Sequence, residues 1–383
     1  MISMQWYTLL FLEKLQIKGR QNAMQTAKFN RQYYAIDLTK FLCAILVVMI
    51  HVKPLGNAPS KSLLDYVNFG IQNYIARIAV PFFFVSSGFL LYRKSSYIHF
   101  SIGFSKKYIL HMFRLYFIWT LIYFPLAFRG FFNDEKGFLH ACLAYLRNIV
   151  FTGSYMQLWY FPALIFSVCL ISFLLFKGVN PRVIVIIAFM FYIIGLFAQS
   201  WYGLIVPLKE NIPELWNALR LTKKIIVTTR NGLFDAFFFV SMGMYFSFFG
   251  IKVRAKKAFL LFAFSMFAMG VEVFVLQYAG FIRAYDMYFF LVPASFFFFS
   301  FIAGLQLPYS PVYKTLRLLS SLIFYSHLWA YLVVSKLLHL VYSSLLDTCI
   351  RFMLTLILTI AFSFAVIKLS NCKGFKWLKV LYT

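Results

Sequence analysis

Residues 37–51 read Asp37-Leu-Thr-Lys40-Phe-Leu-Cys-Ala-Ile-Leu-Val-Val-Met-Ile-His51, an apolar run with a lysine near one end and a histidine at the other. As an α-helix, the eleven residues from Lys40 to His51 make about three turns, so both side chains fall on one stripe, roughly 16 Å apart along the axis. Ionisable groups on one face of an apolar helix are costly in hydrocarbon, and this segment is therefore the first place to look for chemistry.

The rest of the chain has the same character. Of 383 residues, 62% are hydrophobic, 13% are charged and 50 are phenylalanine, whereas a soluble domain lies nearer half apolar and a quarter charged. A helix needs about 20 apolar residues to cross about 30 Å of hydrocarbon. Stretches of that kind predict spans at 34–52, 73–92, 108–127, 157–176, 182–206, 232–250, 257–278, 286–304, 319–341 and 349–369. The expected fold class is all-α: a polytopic membrane protein of about ten transmembrane helices occupying 34–369. It is preceded by a cytoplasmic or interfacial segment, 1–33, and followed by a basic cytoplasmic tail, 370–383. The apolar patch Trp6 to Leu12 is too short to span and lacks the charged start and small-residue cleavage site of a signal peptide, so it reads as an interfacial helix.

Lysine and arginine concentrate in alternate connections: Lys14 to Arg31, Arg93 to Lys107, Lys177 with Arg182, Lys252 to Lys257, Lys314 with Arg317, and Lys368 to Lys379. The positive-inside rule then puts both termini in the cytoplasm. The opposite connections hold Asp65, Asp134, Glu135, Glu210, Glu214 and Asp347. The loop 207–231, with Lys209, Arg220, Lys223, Lys224 and Arg230, departs from the pattern. The net charge of +26 follows membrane topology and forms no basic patch interleaved with aromatics, which argues against a nucleic-acid partner. The cysteines Cys43, Cys142, Cys169, Cys349 and Cys372 show no metal or disulfide spacing, and no carboxylate–histidine cluster suggests a metal.

Polar residues inside the spans come next. Arg77 precedes Val80-Pro81-Phe-Phe-Phe-Val-Ser86-Ser87-Gly88-Phe89, where the proline breaks backbone pairing and serine and glycine let a neighbour approach closely. Such a break lines a cavity, or it is a packing kink with Arg77 snorkelling to the interface. Arg230-Asn231-Gly232-Leu-Phe-Asp235 opens another span with a helix cap, beside which Arg230 binds an anion or anchors the helix. Glu272 and Asp235 need protonation or a buried base such as Arg77. His327 reads either as a histidine hydrogen-bonded within the bundle or as a functional group.

Taken together, Asp37, Lys40-X10-His51, Arg77-Ile-Ala-Val-Pro-Phe-Phe-Phe-Val-Ser-Ser-Gly, Ser105-Lys-Lys-Tyr, Arg114, Leu158-Trp159-Tyr-Phe-Pro162-Ala-Leu and Ser321-Leu-Ile-Phe-Tyr-Ser-His327 resemble the acyltransferase-3 family of integral-membrane acyltransferases. The resemblance runs from about residue 33 to about 369. It implies ten membrane helices and transfer of an acyl group, usually acetyl from acyl-CoA, to sugars of surface polysaccharides, in a bacterial cytoplasmic membrane. The family has arginine eleven residues before the histidine, and this chain has Lys40, which keeps the charge and loses the planar fork. His51-Val-Lys-Pro-Leu, Leu158 to Leu164 and Thr229-Arg-Asn-Gly-Leu-Phe are also similar to the membrane part of vancomycin-resistance serine racemases. That likeness implies a rival function, transport or binding of a small amino acid such as L-serine.

Acyl transfer to a hydroxyl needs a base, and histidine has a suitable pKa. The resulting expectation makes His51 the base, with Asp37 neutralising Lys40. Arg77 or Arg230, with Asn231, Trp159 and His327, would contact substrate or the developing oxyanion. Arg93, Lys94, Lys106, Lys107 and Arg114 would hold the phosphates of coenzyme A, although the positive-inside rule alone accounts for many of these charges. Acyl-CoA enters as a donor substrate, and no permanently bound cofactor is expected. The partners are the bilayer, acyl-CoA and a surface or undecaprenyl-linked glycan.

Overall fold

The computed structural model describes residues 32–93, 95, 100–131, 137–337 and 344–383, and among these there are helices and no strand. The sequence expectations for 1–31 and for Lys94 lie outside the described residues. Helix α1 is Tyr34–Val52, and the second predicted span, 73–92, lies within the longer helical segment Leu63–Tyr92, divided into α2 (Leu63–Asn73), a 3-10 turn (Ile75–Ile78) and α3 (Ala79–Tyr92). Then follow α4 (Ile102–Phe131), α5 (Phe138–Phe151), α6 (Tyr160–Phe176), α7 (Pro181–Leu196) and α8 (Pro213–Ile226). The chain closes with α9 (Phe237–Phe249), α10 (Ala255–Tyr278), α11 (Leu291–Gly304), α12 (Val312–Leu337) and α13 (Leu345–Leu369).

Among the described residues, 8 helical segments are long and apolar enough to cross a membrane. The other two predicted spans are the shorter apolar helices α7 and α11. Helix α5 falls in a stretch that had been read as a loop. The chain is an all-α polytopic membrane protein.

Its helices sort into two layers. In the span Gly232–Phe249, 78% of the best apolar window is buried, against 22% in Ala255–Tyr278. On α10 the exposed side chains Leu260, Phe264, Phe267, Val271 and Phe274 recur every three or four residues, a stripe that in this setting faces lipid. Helix α4 carries a similar stripe through Leu110, Phe113, Phe117 and Leu121. Helices α1, α3, α6, α9 and α12 form the interior, with α3 against α9 and α1 against α12 as two of its closest pairs.

The α3–α9 contact is backbone on backbone. A Cβ on Gly88 would run into the Val240 carbonyl oxygen, and one on Gly243 into that of Val85. Small residues of this kind let helices touch where lipid supplies no hydrophobic drive. The neighbour expected at Gly88 is therefore α9. The Pro81 break also takes shape here. Proline falls in the first turn of α3, where its missing donor removes little, and the unpaired stretch just before it becomes the 3-10 turn holding Arg77.

Candidate active site

Helix α1 ends immediately after His51. Lys53 closes it in a left-handed conformation (φ 54°), its N–H donating to the Met49 carbonyl, and Pro54 forbids continuation. His51 therefore projects from the last turn of α1. Helix α12 packs along α1 and places His327 opposite, with ring centroids 5.2 Å apart. His327 is fully buried. Its Nδ1 lies 3.0 Å from the carbonyl oxygens of both Ile323 and Phe324, which makes it the protonated nitrogen, while Nε2 has no partner. A neutral imidazole with a free lone pair thus sits beside His51.

Three loops deliver charge to the same place. Arg77 donates through Nη1 to Asp286 Oδ1 at 2.6 Å, through Nε to the Gln72 carbonyl at 2.8 Å and through Nη2 to Asn73 Oδ1 at 3.1 Å. Arg230 reaches the same Asp286 oxygen at 3.2 Å and lies over the Trp159 ring, 4.9 Å from its centroid. His327, Arg230, Arg77 and Asp286 are the groups that act electrostatically on His51. The structure brings together His51, His327, Arg77, Arg230 and Trp159. Arg77 is turned inward to an ion pair and does not snorkel.

Asn231 supports this group from behind. Its Oδ1 accepts from the N–H groups of Leu233 and Phe234 at 2.9 and 3.0 Å, and its Nδ2 donates to the Thr228 carbonyl at 2.8 Å. The side chain is used up in capping the π-helical turn Gly232–Ala236 that leads into α9. Asn231 therefore positions Arg230. Asp235 is buried in that turn and interacts with Arg230 and Asp286.

Asp286 is the residue that sequence reasoning missed. The sequence presents Glu272 and Asp235 as the acids that a base such as Arg77 would match, whereas Asp286 stands at the start of the predicted span 286–304 with nothing local to mark it. Glu272 in fact accepts from Trp201 Nε1 at 2.9 Å and from the N–H groups of Phe289 and Phe290 at 2.8 and 2.9 Å. It caps the approach to α11 and does not pair with Arg77.

The other end of the α1–α12 pair is different. Lys40 lines a cavity of about 150 Å³ with Ser87, Tyr108, Tyr160, Ser320 and Phe324. Tyr160 and Ser87 share a hydrogen bond at 3.1 Å. Asp37, expected to neutralise Lys40, pairs with Arg317 of α12 instead, at 3.9 Å; its influence on Lys40 is longer-range. Phe324 touches both ends, since its ring faces those of Phe83, Tyr160 and His327.

Of the expected phosphate ligands, Lys106 and Lys107 are exposed on the turn of α4 that carries Tyr108. Arg114 donates to the Thr383 carbonyl and to His111 Nδ1, and Arg93 lies over the Tyr33 ring. Beside Arg114, Trp119 Nε1 donates to the Leu381 carbonyl at 3.0 Å, so the 373–381 segment packs on α4.

Comparison with known proteins gives this geometry its context. The family model described as an acyltransferase domain, that of the acyltransferase-3 family, matches residues 33–368. An amino-acid racemase of Enterococcus faecalis is 32% identical over 267 residues, which are 69% of this chain and 35% of that protein. A serine/alanine racemase of Enterococcus gallinarum is 29% identical over 272 residues, 70% of this chain and 36% of that protein. The chain thus spans about a third of the length of the curated relatives it matches. No solved structure matches it. With an all-helical membrane bundle and a family match over nearly its whole length, the chain belongs to the acyltransferase-3 family and is a multi-pass membrane protein.

Proposed function

We propose that the protein is an O-acyltransferase of a bacterial cytoplasmic membrane, moving an acyl group, most simply acetyl, from cytosolic acyl-CoA to a hydroxyl of a surface or lipid-linked polysaccharide. The observation that carries the reading is the His51–His327 pair set against the Arg77–Asp286–Arg230 ion network. His51 accepts the proton of the acceptor hydroxyl as its oxygen attacks the thioester carbonyl. The tetrahedral oxyanion forms near Arg230, whose charge opposes it. Collapse expels the coenzyme A thiolate, and the proton held by His51 passes to sulfur. His327, neutral and with its Nε2 lone pair free, adds no second positive charge beside His51 and offers a hydrogen-bond acceptor there.

With both termini inside, as the loop charges argue, His51 lies toward the outer face and Lys40 toward the cytosol. The nucleotide of acyl-CoA then meets Lys106 and Lys107, and its pantetheine arm passes the Lys40 cavity and Phe324 to reach His51. Purified protein in proteoliposomes, given labelled acetyl-CoA, tests this: release or transfer of label that disappears in His51→Ala supports it, and full activity in that variant refutes it. The racemase names of the relatives favour a second reading, a carrier or binder of L-serine. Donor-independent uptake of labelled L-serine by the same vesicles would support that reading.

A further inference from the structure

A cavity of about 950 Å³ lies beside the candidate active site, walled by the end of α7, the 202–216 connection, and the segments 226–229 and 283–284. Its size is at the upper end of the range for small-molecule sites. Three features identify an occupant.

The first is the rim. Ile194, Val206 and Leu215 line the cavity and are 56%, 43% and 43% exposed. In the topology that the loop charges predict, this rim belongs to the outer interface, and its exposed apolar side chains suit contact with a lipid chain. Trp216 and Tyr202, also in the wall, have the amphipathic rings that favour the membrane interface.

The second is charge. Lys209 and Arg283 stand in the same wall, exposed, and among the described residues neither is in an ion pair. Arg283 rests on the Tyr202 ring at 4.8 Å, and its backbone N–H donates to the Gln199 carbonyl at 3.0 Å. The buried Gln199 adds a polar group. Its Nε2 donates to the hydroxyls of Thr228 and Thr229 at 3.3 and 3.2 Å, and its Oε1 has no partner.

The third is continuity. Thr228 and Thr229 immediately precede Arg230, and Arg283 and Ala284 precede Asp286 by three residues or fewer. The cavity wall is therefore the chain that delivers both partners of the Arg230–Asp286 ion pair. The cavity and the site therefore share these chain segments.

We infer that this cavity binds the lipid carrier of the acceptor, with the apolar chain in the cavity, a phosphate between Lys209 and Arg283, and the sugar extending to Arg230 and His51. The inference rests on the acyl-transfer reading for the sugar end, and its test needs no acyl donor. A polyprenyl phosphate with a photoactivatable diazirine in its chain is irradiated with the protein in phosphatidylcholine proteoliposomes, and the labelled peptides are mapped. Labelling is expected on the segments around Tyr202 and Leu215 to Trp216, with the matched uncharged polyprenol labelling at least about fivefold less. Ala198→Trp, which fills the cavity, is expected to cut labelling by a similar factor. Leu260→Trp, on the outer face of α10, is expected to leave it unchanged. Should Ala198→Trp fail to fold, the surface double variant Lys209→Gln/Arg283→Gln decides, with labelling reduced at least about threefold. Equal labelling by the polyprenol, labelling insensitive to these variants, or full displacement by equimolar phosphatidylglycerol would overturn the inference. Labelling as expected in a protein that shows no acyl transfer would contradict the proposed function and leave the carrier site standing.

Discussion

The two ends of the α1–α12 pair are built from the same two helices and do different things. At one end Lys40 lies among hydroxyls and rings beside a small cavity, under the longer-range influence of Asp37 and Arg317, which form a long ion pair with each other at 3.9 Å. At the other, His51 and His327 lie against a network in which one carboxylate serves two arginines, at 2.6 and 3.2 Å. The first arrangement has the features of a passage and the second those of a charged reaction chamber. Compensated charge held in fixed geometry is what stabilises a transition state without reorganisation, whereas a cation beside a narrow space attracts an anion and lets it go. Phe324 marks the border between the two.

This contrast breaks most severely at His51. Replacing it with alanine is expected to lower acyl transfer by about 10²- to 10⁴-fold, the usual contribution of a general base, measured as label released from acetyl-CoA per turnover. Asp286→Asn comes next. It leaves two guanidiniums without a carboxylate, which costs several kcal/mol in a buried pair and about 2 kcal/mol here, where the arginines are 15% and 35% exposed. The thermal midpoint in detergent should fall clearly, and Asp286→Glu should recover part of the loss.

Gly243→Leu attacks the scaffold that holds the chamber and not the chamber itself. It forces α9 off α3, and the expected loss is about 1–3 kcal/mol of stability, read from the same unfolding curve. A stable Gly243→Leu protein would show that the backbone contact is dispensable.

Lys40 sharpens the comparison from the passage side. If charge alone is needed there, Lys40→Arg should transfer acyl groups at close to the parent rate, and Lys40→Ala should raise the donor KM roughly tenfold, about 1.4 kcal/mol. A gain of activity in Lys40→Arg would show that the guanidinium fork matters. The smallest effect is expected from Lys106→Gln or Lys107→Gln, less than about threefold in donor KM because exposed charges are screened. That effect should shrink further at high salt.

Much of this was legible in the residues themselves. Apolar length and the alternation of basic loops outlined the membrane bundle, and Lys40-X10-His51 placed its two ends on one stripe of α1. Asn231 with Gly232 read correctly as a cap, and Gly88 as a point of close approach. What did not show was tertiary pairing. Asp286 lies 209 residues from Arg77 and 56 from Arg230, and nothing local to any of the three names the others. Asp37 had a lysine one turn away, and sequence proximity suggested that pair; the fold instead brings Arg317 from α12. The His51–His327 contact depends on α12 running alongside α1, which no periodicity in either helix reveals. Helix α5 is unmarked in the sequence because His140, Arg147 and Asn148 interrupt its apolar run.

The division between chamber and passage is tested most directly by steady-state kinetics of His51→Ala and Lys40→Ala side by side, with acetyl-CoA varied at saturating acceptor. The account predicts that His51→Ala loses kcat with the donor KM changed by less than about threefold, and that Lys40→Ala raises the donor KM with kcat largely kept. The reverse assignment, or a His51→Ala protein that turns over like the parent, would contradict it.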